Sequence, residues 1–342
     1  MSILITGGAG FIGSHFALRM VNQGKHVVVL DKLTYAGNIE NLNEITGDEN
    51  KFKYFKFYKG DICNQELVGH IFSSEGVDVV INFAAETHVD RSIMSAGTFI
   101  DTDIKGVFVL LEASKRHGIK KFIQVSTDEV YGTVYHDAFK ETDTLNPSNP
   151  YSASKTGGDR LAYAYWVTYK LPIIITRASN NYGDYQHPEK FIPLFITNAL
   201  EDKKLPLYGD GQQIRDWIHV EDHCAAIDFL IVHGENGEVY NIGGGNERCN
   251  IDTTYFILDE LNKPRTLIEH VKDREGHDRR YALDCTKIMS LGWKTQIKFE
   301  TGLRDTIKWY KNNQKWWKQI KNSAFVEYYN RQYAHRFVNT CK

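Results

Sequence analysis

Nowhere does the 342-residue chain carry an apolar run approaching the ~18–20 residues that a membrane-spanning helix needs. No basic segment precedes the first apolar residues, so no secretory leader is expected. Cysteine is sparse and scattered: Cys63, Cys224, Cys249, Cys285 and Cys341 form no C-x-x-C pair. That excludes a disulfide framework and fits reduced thiols in a cytoplasmic protein. Histidine and cysteine are not spaced as metal ligands, so no metal is expected. Only 7 prolines are present, which excludes a Pro-rich or collagen-like chain. Charge of one sign is lacking too. Lys and Arg number 41 against 43 Asp and Glu, so nothing in the overall balance calls for nucleic acid or an anionic membrane as partner.

What is present is ordinary for a globular protein: 42% hydrophobic and 25% charged residues. In the first half, short β-branched or apolar runs at 2–6, 27–30, 77–83 and 122–125 alternate with amphipathic segments at 13–22, 64–74 and 106–117. A helix over 152–170 and a strand over 172–176 follow. Strands alternating with helices predict an α/β fold, a doubly wound parallel sheet of Rossmann type. Beyond residue 177 the chain is punctuated by Gly and Pro and reads as long irregular stretches. The expected division is residues 1–177 for the dinucleotide, with parts of 210–245 returning to it. Residues 178–330 then form a smaller, mixed substrate-binding domain, and 331–342 a tail. Residues 301–342 hold nine Lys or Arg, two acids and interleaved aromatics, among them Trp309, Trp316 and Trp317. Such a mixture suits single-stranded nucleic acid, but no RNA-binding fingerprint accompanies it, so it reads as a terminal helix docked by its aromatics with its lysines in solvent.

Gly7, Gly10 and Gly13 follow the first strand and open the first helix with G-x-x-G-x-x-G spacing. Glycines there permit a tight turn and let backbone N–H groups approach a pyrophosphate at a helix N-terminus. The second strand ends at Asp31, placed to accept hydrogen bonds from ribose hydroxyls and to repel a 2′-phosphate; the expected cofactor is therefore NAD. Asp61 and Ile62, and Ala84 and Ala85, fall where later loops would reach the adenine and the second ribose. Further on, Tyr151 and Lys155 stand four apart, on one face of a helix. The ammonium would lower the phenol's pKa and make Tyr151 a base for a hydroxyl under oxidation. Ser126 and Thr127 lie at a strand end nearby.

At this point the chain resembles the extended short-chain dehydrogenase/reductase family that modifies nucleotide sugars, and within it the dTDP-glucose 4,6-dehydratases. The motifs are 83–92 (FAAETHVDRS), 126–132 (STDEVYG), 149–155 (NPYSASK), 176–183 (TRASNNYG), 188–193 (PEKFIP), 205–211 (LPLYGDG), 215–217 (RDW), 240–244 (YNIGG) and 273–281 (DREGHDRRY). The resemblance runs from residue 1 to about residue 335. It implies that Glu129 abstracts the C5 proton while Asp128, held protonated, protonates the departing O6. It places Tyr151 as base at O4, Lys155 against the nicotinamide ribose, and Thr127 beside the sugar O4. Phe11, Ile12, Lys32, Leu33, Thr34, Phe83, Thr102 and Asn181 join the cofactor set by the same resemblance. Thr87, His88, Asn180, Lys190, Phe191, Pro206, Leu207, Tyr208, Arg215, Asn250, Arg274 and His277 join the substrate set.

Adjacent residues of a regular strand point to opposite faces, so irregular or helical backbone is expected at Asp128 and Glu129. Two departures from the family pattern stand out. Asp103 replaces the usual Asn, where it could perturb nearby ionisation, and Asp184 replaces the usual Pro, which would loosen a substrate loop. The implied product is dTDP-4-keto-6-deoxy-glucose for deoxysugar synthesis such as that of rhamnose, made by a homodimer paired through the segments 106–117 and 152–170. A 4-epimerase, or a dehydratase of UDP- or CDP-linked sugar, remains the alternative.

Overall fold

The structure, a computed structural model, describes residues 1–273, 276–333 and 336. Its strands in chain order are β1 (Ser2–Thr6), β2 (His26–Asp31), β3 (Phe55–Lys59), β4 (Val79–Asn82), β5 (Lys121–Thr127), β6 (Ile173–Ala178), β7 (Asn180–Tyr182), β8 (Leu205–Tyr208), β9 (Ile214–His219), β10 (Val239–Ile242), β11 (Glu247–Cys249) and β12 (Ile268–Val271). Seven of them form one parallel sheet in the order β10-β6-β5-β4-β1-β2-β3. The chain leaves β1 first toward β2 and β3 and later toward β4, β5 and β6. That reversal opens a crevice at the carboxyl ends of β1 and β4, where doubly wound sheets bind ligands.

Both faces of the sheet are covered, which explains the nearly continuous apolar strands. Ile3, Ile5, Val27 and Val29 point into one core, with Phe16 and Met20 of the helix Phe11–Asn22. Leu4, Val28 and Leu30 point into the other, against Leu110 and Leu111 of the helix Val107–His117. A third core gathers the helix Phe191–Leu200, β8 and the C-terminal helices around Trp316 and Trp317. The region after residue 177 is more regular than its Gly and Pro content suggests. It carries a three-stranded sheet, β11-β9-β7, and a parallel pair, β12-β8. The tail is three helices, Phe299–Asn312, Gln314–Ile320 and Ser323–Tyr333, rather than one. Its aromatics dock as expected, but not every cation stays in solvent: Lys321 bonds Asn198 and Glu201 at 3.0 and 2.7 Å, and buried Arg336 donates to the Asp273 carbonyl.

Beneath the crevice, Arg177 and Asp159 form a buried pair, Nε to Oδ2 2.9 Å and Nη2 to Oδ1 3.1 Å. The Arg177 Nη1 also donates to the Tyr131 hydroxyl, which donates to Asn241. This network ties β6, the helix Pro150–Tyr169 and the turn after β5 into one block.

Candidate active site

The glycine loop is fixed by sterics. A Cβ on Gly13 would lie 2.3 Å from the Gly7 carbonyl oxygen. One on Gly7, at φ +66°, would meet Ala84 N at 2.8 Å. The loop therefore closes tightly on itself and on the residue after β4, and the helix Phe11–Asn22 begins with its N-terminus open toward the crevice. Asp31 holds the turn from behind: its carboxylate accepts from Ala9 N at 2.9 Å and Leu33 N at 2.7 Å. The loop is also tied to the far end of the chain. The Ala9 carbonyl accepts from Asn41, whose Oδ1 accepts from the Trp316 indole.

A cavity of about 400 Å³ runs from this loop across the ends of β4 and β5 to β8 and β9. Gly7, Gly10, Phe11, Ile12, Gly13, Asp31, Lys32, Thr34, Asp61, Ile62, Phe83, Ala84, Ala85, Thr102 and Asn181 line its first part. Leu33 does not. Its side chain packs against the first core, and its backbone, at φ 54°, donates to Asp31. Thr87, His88, Asn180, Lys190, Phe191, Pro206, Leu207, Tyr208, Arg215, Asn250 and His277 line the second part. Arg274 lies outside the described residues.

Where the two parts meet stand Thr127, Asp128, Glu129, Tyr151 and Lys155. Thr127 caps a 3-10 turn over Asp128–Tyr131, its Oγ1 accepting from Glu129 N at 3.3 Å, so the two acids do not alternate as on a strand. Asp128 is buried and takes a hydrogen bond from the Thr127 hydroxyl at 3.1 Å. Burial first, and the Glu129 charge second, push its carboxyl well above the usual carboxylate range. Glu129 is less buried and meets the Tyr281 hydroxyl at 3.4 Å.

Tyr151 and Lys155 are placed by a capping box. Asn149 accepts from Ser152 N at 3.0 Å, Ser152 Oγ meets Asn149 N at 3.2 Å, and Pro150 opens the helix. The Lys155 ammonium donates to the Val125 carbonyl at 2.8 Å. The Tyr151 phenol differs from expectation. Burial, then the charges of Glu129 and Asp103, raise its pKa well above the usual phenol value, although Thr127 hydrogen-bonds it in the lowering sense. Here enclosure and neighbouring carboxylates outweigh the ammonium.

On the substrate side, Arg215 donates to the Ile214 and Asp278 carbonyls and lies over the Tyr281 ring at 4.4 Å. Lys190 donates to the Thr87 carbonyl, and His277 meets Asp273 at 2.5 Å. Glu189, also at the cavity, is pulled down to about 2: His88, His187, Arg91 and Lys190 together overcome its burial. Glu189, Tyr281 and Tyr333 were not singled out in the sequence. The first two sit inside quoted motifs, between assigned residues, and gave no separate signal. Tyr333 belongs to the aromatic spacing of the last helix and stacks on Tyr208, ring centroids 5.9 Å apart. The Asp184 loop is tied to the first helix, since the His15 ring meets the Asp184 carbonyl at 3.0 Å and Glu221 at 2.6 Å.

A cofactor cradle joined to a site with a tyrosine, a lysine and two carboxyls marks the class as NAD-dependent sugar-nucleotide enzymes of the extended short-chain dehydrogenase/reductase type. Comparison with known proteins narrows it. The family described as GDP-mannose 4,6 dehydratase matches residues 4–306. A dTDP-glucose 4,6-dehydratase of Streptomyces niveus is 46% identical, over 94% of this chain and 96% of that one. The crystal structure of a dTDP-glucose 4,6-dehydratase from Streptomyces venezuelae, with NAD bound, superposes with a TM-score of 0.90 at 46% identity, covering 94% of this chain and all (100%) of that one. That from Bacillus anthracis, in complex with NAD, gives 0.87 at 48%, with coverage of 94% and 100%. The chain belongs to this family of 4,6-dehydratases, in its dTDP-glucose branch.

Proposed function

We infer that the chain is a hydro-lyase that uses NAD to convert dTDP-glucose to dTDP-4-keto-6-deoxy-glucose and water. One observation carries the reading beside the family relationship: two acids on a single turn, one enclosed and one facing the cavity, beside a Tyr151–Lys155 pair and next to a glycine cradle. The cradle fits a dinucleotide because the space beside Gly7 and Gly13 would be filled by any Cβ, leaving backbone N–H groups free to meet a pyrophosphate.

NAD supplies the acceptor for the C4 hydride and the donor that returns it to C6. The protein's residues handle the protons. Tyr151, acting in its phenolate form, takes the proton from O4, with Thr127 beside the same oxygen. The ketone at C4 acidifies the C5 hydrogen, and Glu129 removes it. Asp128, kept protonated by its surroundings, protonates O6, which leaves as water, and the proton held by Glu129 afterwards returns to C5 to complete the 4-keto-6-deoxy product. Lys190, Arg215 and Asn180 suit the diphosphate, while Leu207 and Tyr208 flank the base. The cofactor set proposed is the cradle, Asp31 and the lining residues named above.

Incubating the purified protein with dTDP-glucose tests this. The expected product is the 4-keto-6-deoxy sugar with its alkaline absorbance; a C4 epimer would overturn the assignment in favour of an epimerase. Turnover compared across dTDP-, UDP- and CDP-glucose tests the base. Supply of a rhamnose-type deoxysugar pathway, residence in the cytoplasm and a homodimer belong to the same proposal. The dimer is supported by the exposed apolar side chains Phe108, Tyr163 and Val167 on the paired helices Val107–His117 and Pro150–Tyr169. Sedimentation at the monomer mass would remove it. No described helix is long and apolar enough to cross a membrane, and no described cluster of His, Cys, Asp and Glu could hold a metal.

A further inference from the structure

We propose that Asp103, a buried carboxyl on the helix neighbouring the site, is a positioning residue that sets the electrostatic surroundings in which Tyr151 gives up its proton. The proposal rests on the role inferred above for Tyr151. Asp103 is 2% exposed and sits in a π-helical turn, Asp101–Gly106, between Gly97–Ile100 and Val107–His117. Such turns are rare and often mark functional positions. The turn is pressed against the catalytic helix: a Cβ on Gly158 would lie 2.3 Å from the Asp103 carbonyl oxygen. The absence of a side chain on Gly158 lets the turn approach this closely, and the Asp103 carboxyl meets the catalytic helix one turn earlier, at Ser154. Its Oδ2 accepts from the Ser154 hydroxyl at 2.6 Å, and Ser154 stands between Tyr151 and Lys155 in sequence, beside the latter.

The charged and titratable groups facing Asp103 come from two elements. From the helix Pro150–Tyr169 come the Lys155 ammonium and the Tyr151 phenol, and from the loop after β4 comes the Glu86 carboxyl, whose backbone N–H also hydrogen-bonds Asp103. Burial raises the Asp103 carboxyl to about 6, against the lowering effect of Lys155 and Ser154, so at neutral pH it is mostly ionised. The ionised form acts in two opposite ways. It opposes phenolate formation at Tyr151 directly, and it favours the charged form of Lys155. The direct effect acts on the phenol itself, whereas the second passes through a Lys155 ammonium already held by the Val125 carbonyl at 2.8 Å. A neutral amide of the same shape removes the charge and keeps an acceptor for Ser154.

The test is the pH dependence of kcat/KM for dTDP-glucose in the NAD-loaded protein, with single-turnover NAD reduction followed in parallel. In Asp103→Asn the rising limb moves to lower pH by about one unit relative to wild type, and the plateau rate stays within about twofold. Asp103→Ser, which also removes the charge in a smaller side chain, moves it the same way. Ser154→Ala, which leaves the charge and removes the hydrogen bond, leaves the midpoint where it was. Superimposable limbs for Asp103→Asn and wild type overturn the proposal. So does an equal shift in Ser154→Ala, which would make the effect one of shape. If wild type itself does not turn over dTDP-glucose, the inferred function fails instead.

Discussion

The two walls of the cavity are built in different ways. The cofactor wall is made by consecutive chain: one strand, one turn and one helix within residues 2–22, held by Asp31 from the neighbouring strand. The wall proposed for the substrate brings together Lys190, Tyr208, Arg215, Asn250, His277 and Tyr333 from segments far apart in sequence. The first wall is a local motif whose shape is dictated by missing side chains. The second is a convergence, and each of its members depends on a core that others also hold. A change in the first should therefore act on one ligand, whereas a change in the scaffold beneath both should act on everything.

The largest expected effect lies where the walls meet. Glu129→Gln should lower product formation by about 10²–10⁴-fold while substrate still reduces bound NAD. Loss of the NADH absorbance together with product would place Glu129 before the hydride step. Next is the shared scaffold. Asp159→Ala leaves the Arg177 charge buried without its carboxylate, and should cost about 3–5 kcal/mol in denaturant unfolding. A loss below about 1 kcal/mol would show the block under the crevice to be dispensable. Gly13→Ala should act on the cofactor wall. Overpacking against the Gly7 carbonyl costs about 1–3 kcal/mol, and the purified protein should lose its NAD; full NAD content would break the contrast between the walls.

The smallest effect concerns His15, which joins the first helix to the Asp184 loop across the crevice. Burial opposes charging it, but the contact with Glu221 carries its pKa above the usual imidazole value. A folded-state value above the unfolded one adds stability that is complete below the unfolded pKa and disappears as pH rises through the folded one. Glu221→Gln should accordingly lower Tm most below about pH 6 and little in alkali. An equal loss at both pH values would assign the effect to packing.

The same contrast explains what the sequence made legible. The glycine spacing, the strand before it and Asp31 are neighbours in the chain, so the turn could be read directly. The irregular backbone at Asp128 and Glu129 followed from the need to point two adjacent acids to one place, and the 3-10 turn supplies it. The residues proposed for the substrate entered only through resemblance, because no spacing connects Tyr208 to Tyr333. Leu33 does not line the cavity because its side chain joins the first core, a burial that the motif does not signal. The direction of the Tyr151 shift was missed for a different reason. An i to i+4 ammonium is visible in the sequence, while enclosure and the approach of Asp103 from another helix are not.

The tie from Trp316 through Asn41 to the Ala9 carbonyl also bears on the order of assembly. The glycine turn is braced by a helix whose Trp316 lies 275 residues beyond Asn41 in the chain. A nascent chain can form β1 and its glycine loop before residue 316 has been made, and until then the loop lacks that brace.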